Sequence, residues 1–168
     1  MRVLHIISGL GNGGAEAVLF NLCQSDKQNN HIVISLLDEG KYGSLLKEIG
    51  VEVYPLNFSY KRLNFFAFLR LIKLIRQIMP DVVQTWMIHS NIIGGLAALI
   101  LRIPYIFSER SSSLAYVDKS ITMCARKILS KKCSAIVANS NAGKSYWKSQ
   151  GFEGNLFKIN NGIDFEGI

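Results

Sequence analysis

The sequence has few cysteines, few prolines, few acidic residues and no long apolar segment, and each shortage excludes a class of protein. Three cysteines and three prolines occur in 168 residues. Cysteines that are odd in number and lack metal-ligand spacing argue against a disulfide framework or a zinc motif, and they favour reduced thiols in a cytoplasmic protein. The longest apolar stretch, residues 92–101, is well short of the roughly 20 residues that span a bilayer. We therefore expect no membrane-spanning segment and no signal peptide.

The shortage of acidic residues leaves the chain basic. It carries 19 Lys and Arg against 12 Asp and Glu, which gives a formal net charge of +7, and its mean hydropathy is +0.21. This balance predicts an anionic ligand or an anionic membrane surface as a partner. We expect no nucleic-acid partner, because the basic residues are spread along predicted helices without a zinc-finger or RNP-type motif.

What the chain does contain is a regular alternation of apolar strands with helical patterns. Strands are predicted at residues 3–8, 31–37, 51–55, 81–85, 105–107, 135–138 and 157–159. Helices are predicted after the first glycines, around residues 45–49, and at 63–79, 92–101, 117–131 and 140–151, the last capped by Ser140. This alternation predicts an α/β fold: a Rossmann-like doubly wound parallel sheet with helices on both faces. Functional residues are then expected in the loops at the carboxyl ends of the strands.

The first of these loops is rich in glycine. Gly9, Gly11 and Gly14 match G-x-G-x-x-G between a strand and a helix, and Asp38 and Glu39 end the second strand, as in a dinucleotide-binding fingerprint. Glycine lets the backbone approach an anion, and the free N–H groups and dipole of the following helix favour negative charge. The loop therefore predicts a phosphate or carboxylate ligand. An NAD(P)-binding Rossmann oxidoreductase or epimerase remains an alternative at this point.

Later loops supply side chains with chemistry. His89 follows the fourth strand and is the best catalytic candidate, because an imidazole near neutrality can hydrogen-bond a substrate hydroxyl or balance charge; Asn91 beside it is a candidate substrate-binding residue. Arg110 follows the fifth strand and can contact a diphosphate, with the Ser111 hydroxyl as an added donor. The other two histidines lie in or next to strands, where a structural role is expected.

Six short segments of the chain carry a family resemblance through their order and spacing. They are Gly13-Gly14-Ala15-Glu16, Pro80-Asp81-Val82-Val83, Trp86 to Asn91, Ser108-Glu109-Arg110, Val137-Ala138-Asn139-Ser140 and Asn161-Gly162-Ile163-Asp164. In this order they resemble the N-terminal domain of a family 4 (group 1) glycosyltransferase with the GT-B fold. The fourth strand ends in Trp86, whereas many relatives have a histidine there and this chain has His89 three residues on.

The resemblance implies a retaining transferase that moves sugar from a nucleotide-diphosphate sugar to a glycan or polyprenyl-diphosphate-linked acceptor, in cell-surface polysaccharide synthesis. It implies no cofactor and no metal. Residues 1–164 would form the acceptor-binding domain and residues 165–168 the start of a linker, so that a donor-binding C-terminal domain would be missing from this chain. The location implied is cytoplasmic, at the inner face of the cytoplasmic membrane. The non-catalytic half of a split glycosyltransferase is a further alternative.

The resemblance also assigns roles at both ends of the chain. Gly13 and Gly14 would let acceptor or nucleotide phosphate meet backbone amides. Glu16 would contact substrate or complement the helix dipole. Three residues of the last segment would form the hinge between the two domains: Asn161, Gly162 and Asp164.

The predicted helix at residues 63–79 has two interpretations. Apolar residues interleaved with arginines and lysines are typical of an interfacial helix on an anionic membrane, with Phe65 and Phe66 as an exposed aromatic lip. The same pattern is typical of a helix that covers a sheet, and most of its apolar positions are needed for that. The sequence favours the second interpretation and leaves room for a peripheral membrane contact.

Overall fold

Seven strands and six helices alternate along the chain in a computed structural model that describes residues 1–58, 65–110 and 121–161. The strands are β1 Arg2–Ile7, β2 Asn30–Ser35, β3 Glu52–Pro55, β4 Val82–Trp86, β5 Tyr105–Glu109, β6 Ala135–Ala138 and β7 Asn155–Lys158. The helices are α1 Gly14–Ser25, α2 Gly40–Glu48, α3 Phe65–Ile78, α4 Met87–Leu101, α5 Ile121–Ser130 and α6 Asn141–Ser149. The predicted alternation is confirmed.

All seven strands form one parallel sheet in the order β3-β2-β1-β4-β5-β6-β7. The predicted Rossmann-like, doubly wound parallel sheet is therefore confirmed. From β1 the chain first builds outward through β2 and β3, and then returns to place β4 on the other side of β1. Because the connections after β1 and β4 leave in opposite directions, a crevice opens between them at the carboxyl edge of the sheet.

Each helix turns an apolar stripe toward the sheet. On one face, α1 and α2 bury Leu19, Cys23 and Leu46 against strand residues that include Ile7 and Trp86. The opposite face carries the larger core, to which α3, α4, α5 and α6 contribute Leu71, Ile72, Ile75, Ile78, Ala97, Ala98, Leu129 and Trp147. Helices therefore cover both faces, as the sequence predicts.

Helix α4 approaches the sheet closely through a glycine. A Cβ atom on Gly94 would lie 2.9 Å from Thr85 Cγ2 and 3.1 Å from Ile6 Cδ1. Those distances are shorter than carbon atoms tolerate, so a side chain at this position would force the helix away from β1 and β4. The glycine thus brings the first turn of α4 close to the crevice.

Among the boundaries that differ from the sequence prediction, two lie at the crevice. Helix α4 begins at Met87 and not near residue 92, and β5 continues through Glu109. The polar residues after Trp86 suggested a loop, but Ser90 and Asn91 are fully buried in the first turns of α4. Their polar groups have partners inside the fold, which removes the cost of burying them.

Helix α3 is only partly a sheet-covering helix. Four of its residues are buried (Leu71, Ile72, Ile75 and Ile78), as that interpretation requires. Phe65 and Phe66, however, are 69% and 75% exposed, as the aromatic lip for which the sequence left room requires. None of the described helices is long and apolar enough to cross a membrane.

Candidate functional site

The strands β1, β4 and β5 lie side by side, so the segments that follow them share one edge of the sheet. Ser8, directly after β1, and Ser90, in the first turn of α4, are joined by a hydrogen bond of 3.0 Å between their hydroxyl oxygens. This bond connects the two sides of the crevice where the strand order reverses. The crevice is the candidate site, because ligands of open α/β sheets bind at such a reversal.

The glycine loop forms the β1 side of the crevice. Gly13 is the N-cap of α1 in an extended conformation, with φ −141°, and Gly14 is the exposed first residue of the helix. A Cβ atom on Gly13 would lie 2.5 Å from Glu16 Oε2, which shows that the Glu16 carboxylate folds back over Gly13. That carboxylate complements the positive end of the α1 dipole, and a bound anion would have to share this position with it.

His89 lies in the first turn of α4 and is exposed. The turn is set by Met87, whose φ of +70° places it in the left-handed region. Such a conformation costs a non-glycine residue about 1–3 kcal/mol and is frequent at functional sites. Because of it the chain passes from the extended Trp86 directly into a helix, and His89 is held at the crevice by helical backbone.

Asn91 is buried beneath this turn, which corrects its interpretation as a substrate-binding residue. In the orientation that satisfies both ends of its amide, Oδ1 accepts hydrogen bonds from Arg126 Nε at 3.0 Å and Nη2 at 2.9 Å. The amide nitrogen then donates to Met87 O at 3.1 Å and to Thr85 Oγ1 at 2.8 Å. The side chain therefore supports the first turn of α4 from inside.

Arg110 is drawn toward the crevice from the end of β5. Its guanidinium carbon lies 5.3 Å from the centroid of the Trp86 ring, a cation–π arrangement. Its Nη1 donates to Asn161 Oδ1, and burial lowers the pKa of the guanidinium. The structure thus brings together the predicted diphosphate contact Arg110 and the predicted hinge residue Asn161. Within the part of the chain that the structure describes, the buried Arg110 Nε has no hydrogen-bond partner.

The residue before Arg110 belongs to a buried polar network that the sequence analysis missed. Glu109 is fully buried and pairs with Arg126, which is 1% exposed. Trp147 Nε1 also donates to Glu109 Oε2 at 3.3 Å, and Arg126 stacks over the Trp147 ring at 4.8 Å. Arg126 falls on the buried stripe of α5 with Met123, Leu129 and Ser130. That position on the apolar stripe was the signal that could have revealed it.

A second buried cluster lies on the α1 side of the sheet. His5 Nε2 and His31 Nδ1 are 2.9 Å apart, and Trp86 Nε1 donates to His5 Nδ1 at 3.3 Å. His5, Cys23 and His31 each offer a ligand atom within 4.8 Å of the others, and they are the one group of this kind found in the described segments. These atoms could hold a metal ion by type and proximity. Burial raises the pKa of the Cys23 thiol to about 12.

Three predicted site residues lie outside the described residues. They are Ser111 of the β5 segment and the hinge residues Gly162 and Asp164.

The structure also describes the two acidic residues on which the NAD(P)-binding alternative depends. Asp38, at the position expected to contact a ribose, is exposed. Glu39 beside it pairs with Lys47 at 2.6 Å. This strand order is shared by dinucleotide-binding proteins, so the fold alone does not separate the two interpretations.

Comparison with protein families separates them. The model of Glycosyltransferase Family 4 matches residues 12–166. A curated relative from Campylobacter jejuni is 25% identical over 154 residues, which cover 88% of this chain and 43% of the relative. It is described as GalNAc-alpha-(1->4)-GalNAc-alpha-(1->3)-diNAcBac-PP-undecaprenol alpha-1,4-N-acetyl-D-galactosaminyltransferase.

Solved structures share the fold. HepE of Anabaena, crystallised in complex with UDP-glucose, matches with a TM-score of 0.81 and 19% identity, over 99% of this chain and 45% of HepE. MnaA of S. aureus, in a co-structure with UDP, matches with a TM-score of 0.71 and 18% identity, over 96% of this chain and 44% of MnaA. The chain thus spans less than half the length of each of these relatives.

The buried ion pair provides a first prediction. Arg126→Met should lower the free energy of unfolding by about 3–5 kcal/mol, because it leaves the Glu109 carboxylate buried without its cation. Lys47→Met is the matched control, since it breaks an ion pair whose side chains are 47% and 34% exposed. It should cost at most about 1 kcal/mol. Urea unfolding measures both values. Similar losses of unfolding free energy in the two variants would refute the larger contribution expected from the buried pair.

The buried histidine provides a second prediction. Burial, and next the charge of His31, lower the pKa of His5 from 6.5 to about 3. The unfolded chain therefore binds a proton at this residue that the folded chain does not, so His5 stabilises the fold fully above pH 6.5 and less as the pH falls toward 3. Between about pH 6.5 and 5 the loss should reach about 1.4 kcal/mol per pH unit. His5→Phe should remove that slope from the unfolding free energy, and an unchanged slope would contradict the shift.

Proposed function

This chain belongs to glycosyltransferase family 4, and we propose that it is the N-terminal, acceptor-binding domain of a retaining glycosyltransferase. The enzyme would transfer sugar from a nucleotide-diphosphate sugar to a glycan or polyprenyl-diphosphate-linked acceptor in cell-surface polysaccharide synthesis. The proposal is supported by the family match, by relatives with nucleotide-sugar ligands and a lipid-linked acceptor in their descriptions, and by the crevice itself. The donor-binding half would be a second domain.

The observation that carries the proposal is that three groups lie at the same edge of the sheet, beside the reversal of strand order. Gly14 offers backbone N–H groups at a helix N-terminus, His89 an exposed imidazole and Arg110 a guanidinium. Sugar transfer from a nucleotide-diphosphate sugar leaves a nucleoside diphosphate whose terminal phosphate gains a negative charge, and each of these groups can stabilise anionic oxygen or a sugar hydroxyl. No metal or cofactor takes part in the proposed chemistry.

In this arrangement His89 would act on the reacting centre and Arg110 on a diphosphate. An exposed imidazole at the edge of the crevice can hydrogen-bond a hydroxyl of the transferred sugar while charge develops on it. Arg110 is held by Trp86 and Asn161, so its orientation is set before an anion arrives. A group fixed in advance loses less entropy on binding than a free surface side chain.

The exposed face of α3 supports contact with an anionic membrane. Phe65, Phe66 and Leu69 are exposed at the N-terminal end of the helix, and basic residues follow on the same face: Arg70, Lys73 and Arg76. The described helix contains no acidic residue. Apolar side chains beside basic ones are the composition that binds a membrane surface, where each basic residue contributes about 1 kcal/mol. We propose that this face lies on the cytoplasmic side of the membrane that carries the acceptor.

Site-directed variants test the proposed chemistry in a protein of full family length that contains this chain. His89→Ala should lower kcat by about tenfold or more and change KM less, because the imidazole acts mainly in the transition state. Arg110→Ala should weaken binding of the diphosphate substrate by about 1.5–3 kcal/mol, because a charge-assisted hydrogen bond is lost. Steady-state kinetics with varied donor and acceptor separate the two effects.

Lys148→Ala is the matched control for these variants. Lys148 lies in the last turn of α6, and the last turns of the helices lie at the opposite edge of the sheet from the crevice. Its removal should change neither constant. Wild-type kinetics in both His89→Ala and Arg110→Ala would refute the proposed site. Tight NAD binding by the chain would favour the oxidoreductase alternative.

The membrane contact is tested by vesicle sedimentation. The domain should bind vesicles with anionic lipid and dissociate as salt rises, because exposed charges are screened within about 8 Å at physiological ionic strength. Phe65→Ser with Phe66→Ser should weaken this binding and leave the melting temperature nearly unchanged, since both rings are exposed. Leu71→Ser, at a buried position of the same helix, is the control that should lower the melting temperature. Unchanged vesicle binding by the double Phe variant would exclude the aromatic lip.

A further inference from the structure

Trp86 stands between the crevice and the buried histidines. Its side chain is fully buried at the end of β4. Arg110 lies against one part of it, with 5.3 Å between guanidinium carbon and ring centroid. Its indole nitrogen lies 3.3 Å from His5 Nδ1. Trp86 thus contacts a crevice residue on one side and the interior of the sheet on the other.

The chemistry of these groups gives the hydrogen bonds a direction. An indole N–H can only donate, so His5 Nδ1 must accept and carries no proton. A neutral His5 then carries its proton on Nε2 and donates it to His31 Nδ1, 2.9 Å away. By the same argument His31 carries its proton on Nε2. One tautomer thus determines the next along the series.

The series ends at a fixed carboxylate near the surface. His31 Nε2 forms no well-aligned hydrogen bond, and Asp26 Oδ2 lies 3.3 Å from it. Asp26 itself accepts hydrogen bonds from Gln28 N at 3.0 Å and from Asn29 Nδ2 at 2.7 Å. Its negative charge therefore attracts the Nε2–H end of His31 and favours the tautomer that the series requires. We call Trp86, His5, His31 and Asp26 the histidine chain.

We propose that Trp86 is a positioning residue for Arg110 and that the histidine chain fixes the orientation of its indole ring. The inference rests on the anion-binding role of Arg110 in the proposed function. A planar guanidinium stacked on a ring follows the ring's orientation. The indole can turn about its side-chain bonds only by losing its hydrogen bond to His5, which would leave the buried indole N–H without its acceptor. The ligand class served by this arrangement is a diphosphate at the carboxyl edge.

The same residues define what a competing metal site would require. A metal ion on His5 Nε2 would displace the proton that this atom donates, and Nδ1 would then need to carry a proton facing the indole N–H. Two donors would meet, and the bond to Trp86 would break. The distance of 2.9 Å between the ring nitrogens matches a hydrogen bond. The histidine chain and a metal site are therefore exclusive, and an experiment can separate them.

The first experiment assigns the tautomers in the 168-residue chain by nitrogen NMR with labelled histidine and tryptophan. Both His5 and His31 should show a bare Nδ1 and a protonated Nε2, and the Trp86 indole proton should exchange slowly with solvent. Equimolar zinc should leave these signals unchanged. The opposite tautomer at His5, or stoichiometric zinc binding that shifts both histidines, would overturn the proposal.

The second experiment follows Arg110 itself, through its Nε–H resonance and through the affinity for inorganic pyrophosphate. His5→Leu removes the acceptor for the indole and should shift the resonance and weaken pyrophosphate binding about three- to tenfold. His5→Asn should restore both, because Asn Oδ1 can take the place of Nδ1. Val33→Ala is the control, at the position paired with His5 in the sheet. It removes packing and no hydrogen bond, so its Arg110 resonance should match that of the wild type.

The outcomes separate the positioning role from the proposed function. An Arg110 resonance that does not move in His5→Leu, or that stays shifted in His5→Asn, would overturn the positioning role. If Arg110→Ala leaves pyrophosphate binding unchanged while the resonance responds as expected, the anion role in the proposed function fails and the positioning of Arg110 by Trp86 is supported.

Discussion

The reversal of the strand order between β1 and β4 is the constraint on which the candidate site depends. Because all described strands are parallel, every following helix begins at the same edge, and its free N–H groups point there. The reversal sends the chain after β1 to one face and the chain after β4 to the other, so a crevice opens between α1 and α4. The bond between Ser8 and Ser90 then holds its two sides at a fixed distance.

Successive side chains at the end of β5 point to opposite faces of the sheet, so the residues that hold the candidate site lie on both faces. Glu109 points toward α5 and α6, where Arg126 and Trp147 hold it, and Arg110 points to the other face, where it meets Trp86. Through Asn91, the first network fixes the turn that carries His89. A buried ion pair contributes little net stability compared with an apolar pair. Its location under the turn that carries His89 accounts for the ion pair better, because there it fixes the geometry of that turn.

The sequence predicted the elements well and the interior polar contacts poorly, for identifiable reasons. Periodicity located the strands, and Ser140 marks the start of α6, where its Oγ accepts from Gly143 N at 3.1 Å. The start of α4 was missed because Ser90 and Asn91 look like loop residues until Ser8 and Arg126, two partners far away in the chain, are known. A helical period also does not reveal how far a helix extends beyond the sheet it covers, so the sequence left open whether Phe65 and Phe66 are exposed. The sequence located residues such as Arg110 at the crevice because they follow predicted strands. It did not reveal supporting residues such as Arg126, because these lie within a helix or strand.

In the proposed membrane contact, one orientation would serve both the exposed face of α3 and the crevice. Helix α3 follows β3, so its N-terminal end, with Phe65 and Phe66, lies at the same edge of the sheet as Arg110 and His89. A polyprenyl diphosphate keeps its anionic group at the membrane surface while its chain stays in the bilayer. If the aromatic pair enters that surface, the edge with Arg110 faces the layer in which the diphosphate lies, and the acceptor reaches the crevice without leaving the membrane. Because the basic residues of α3 lie on the same exposed face, the attraction to anionic lipid in the proposed contact would also favour this orientation over the others.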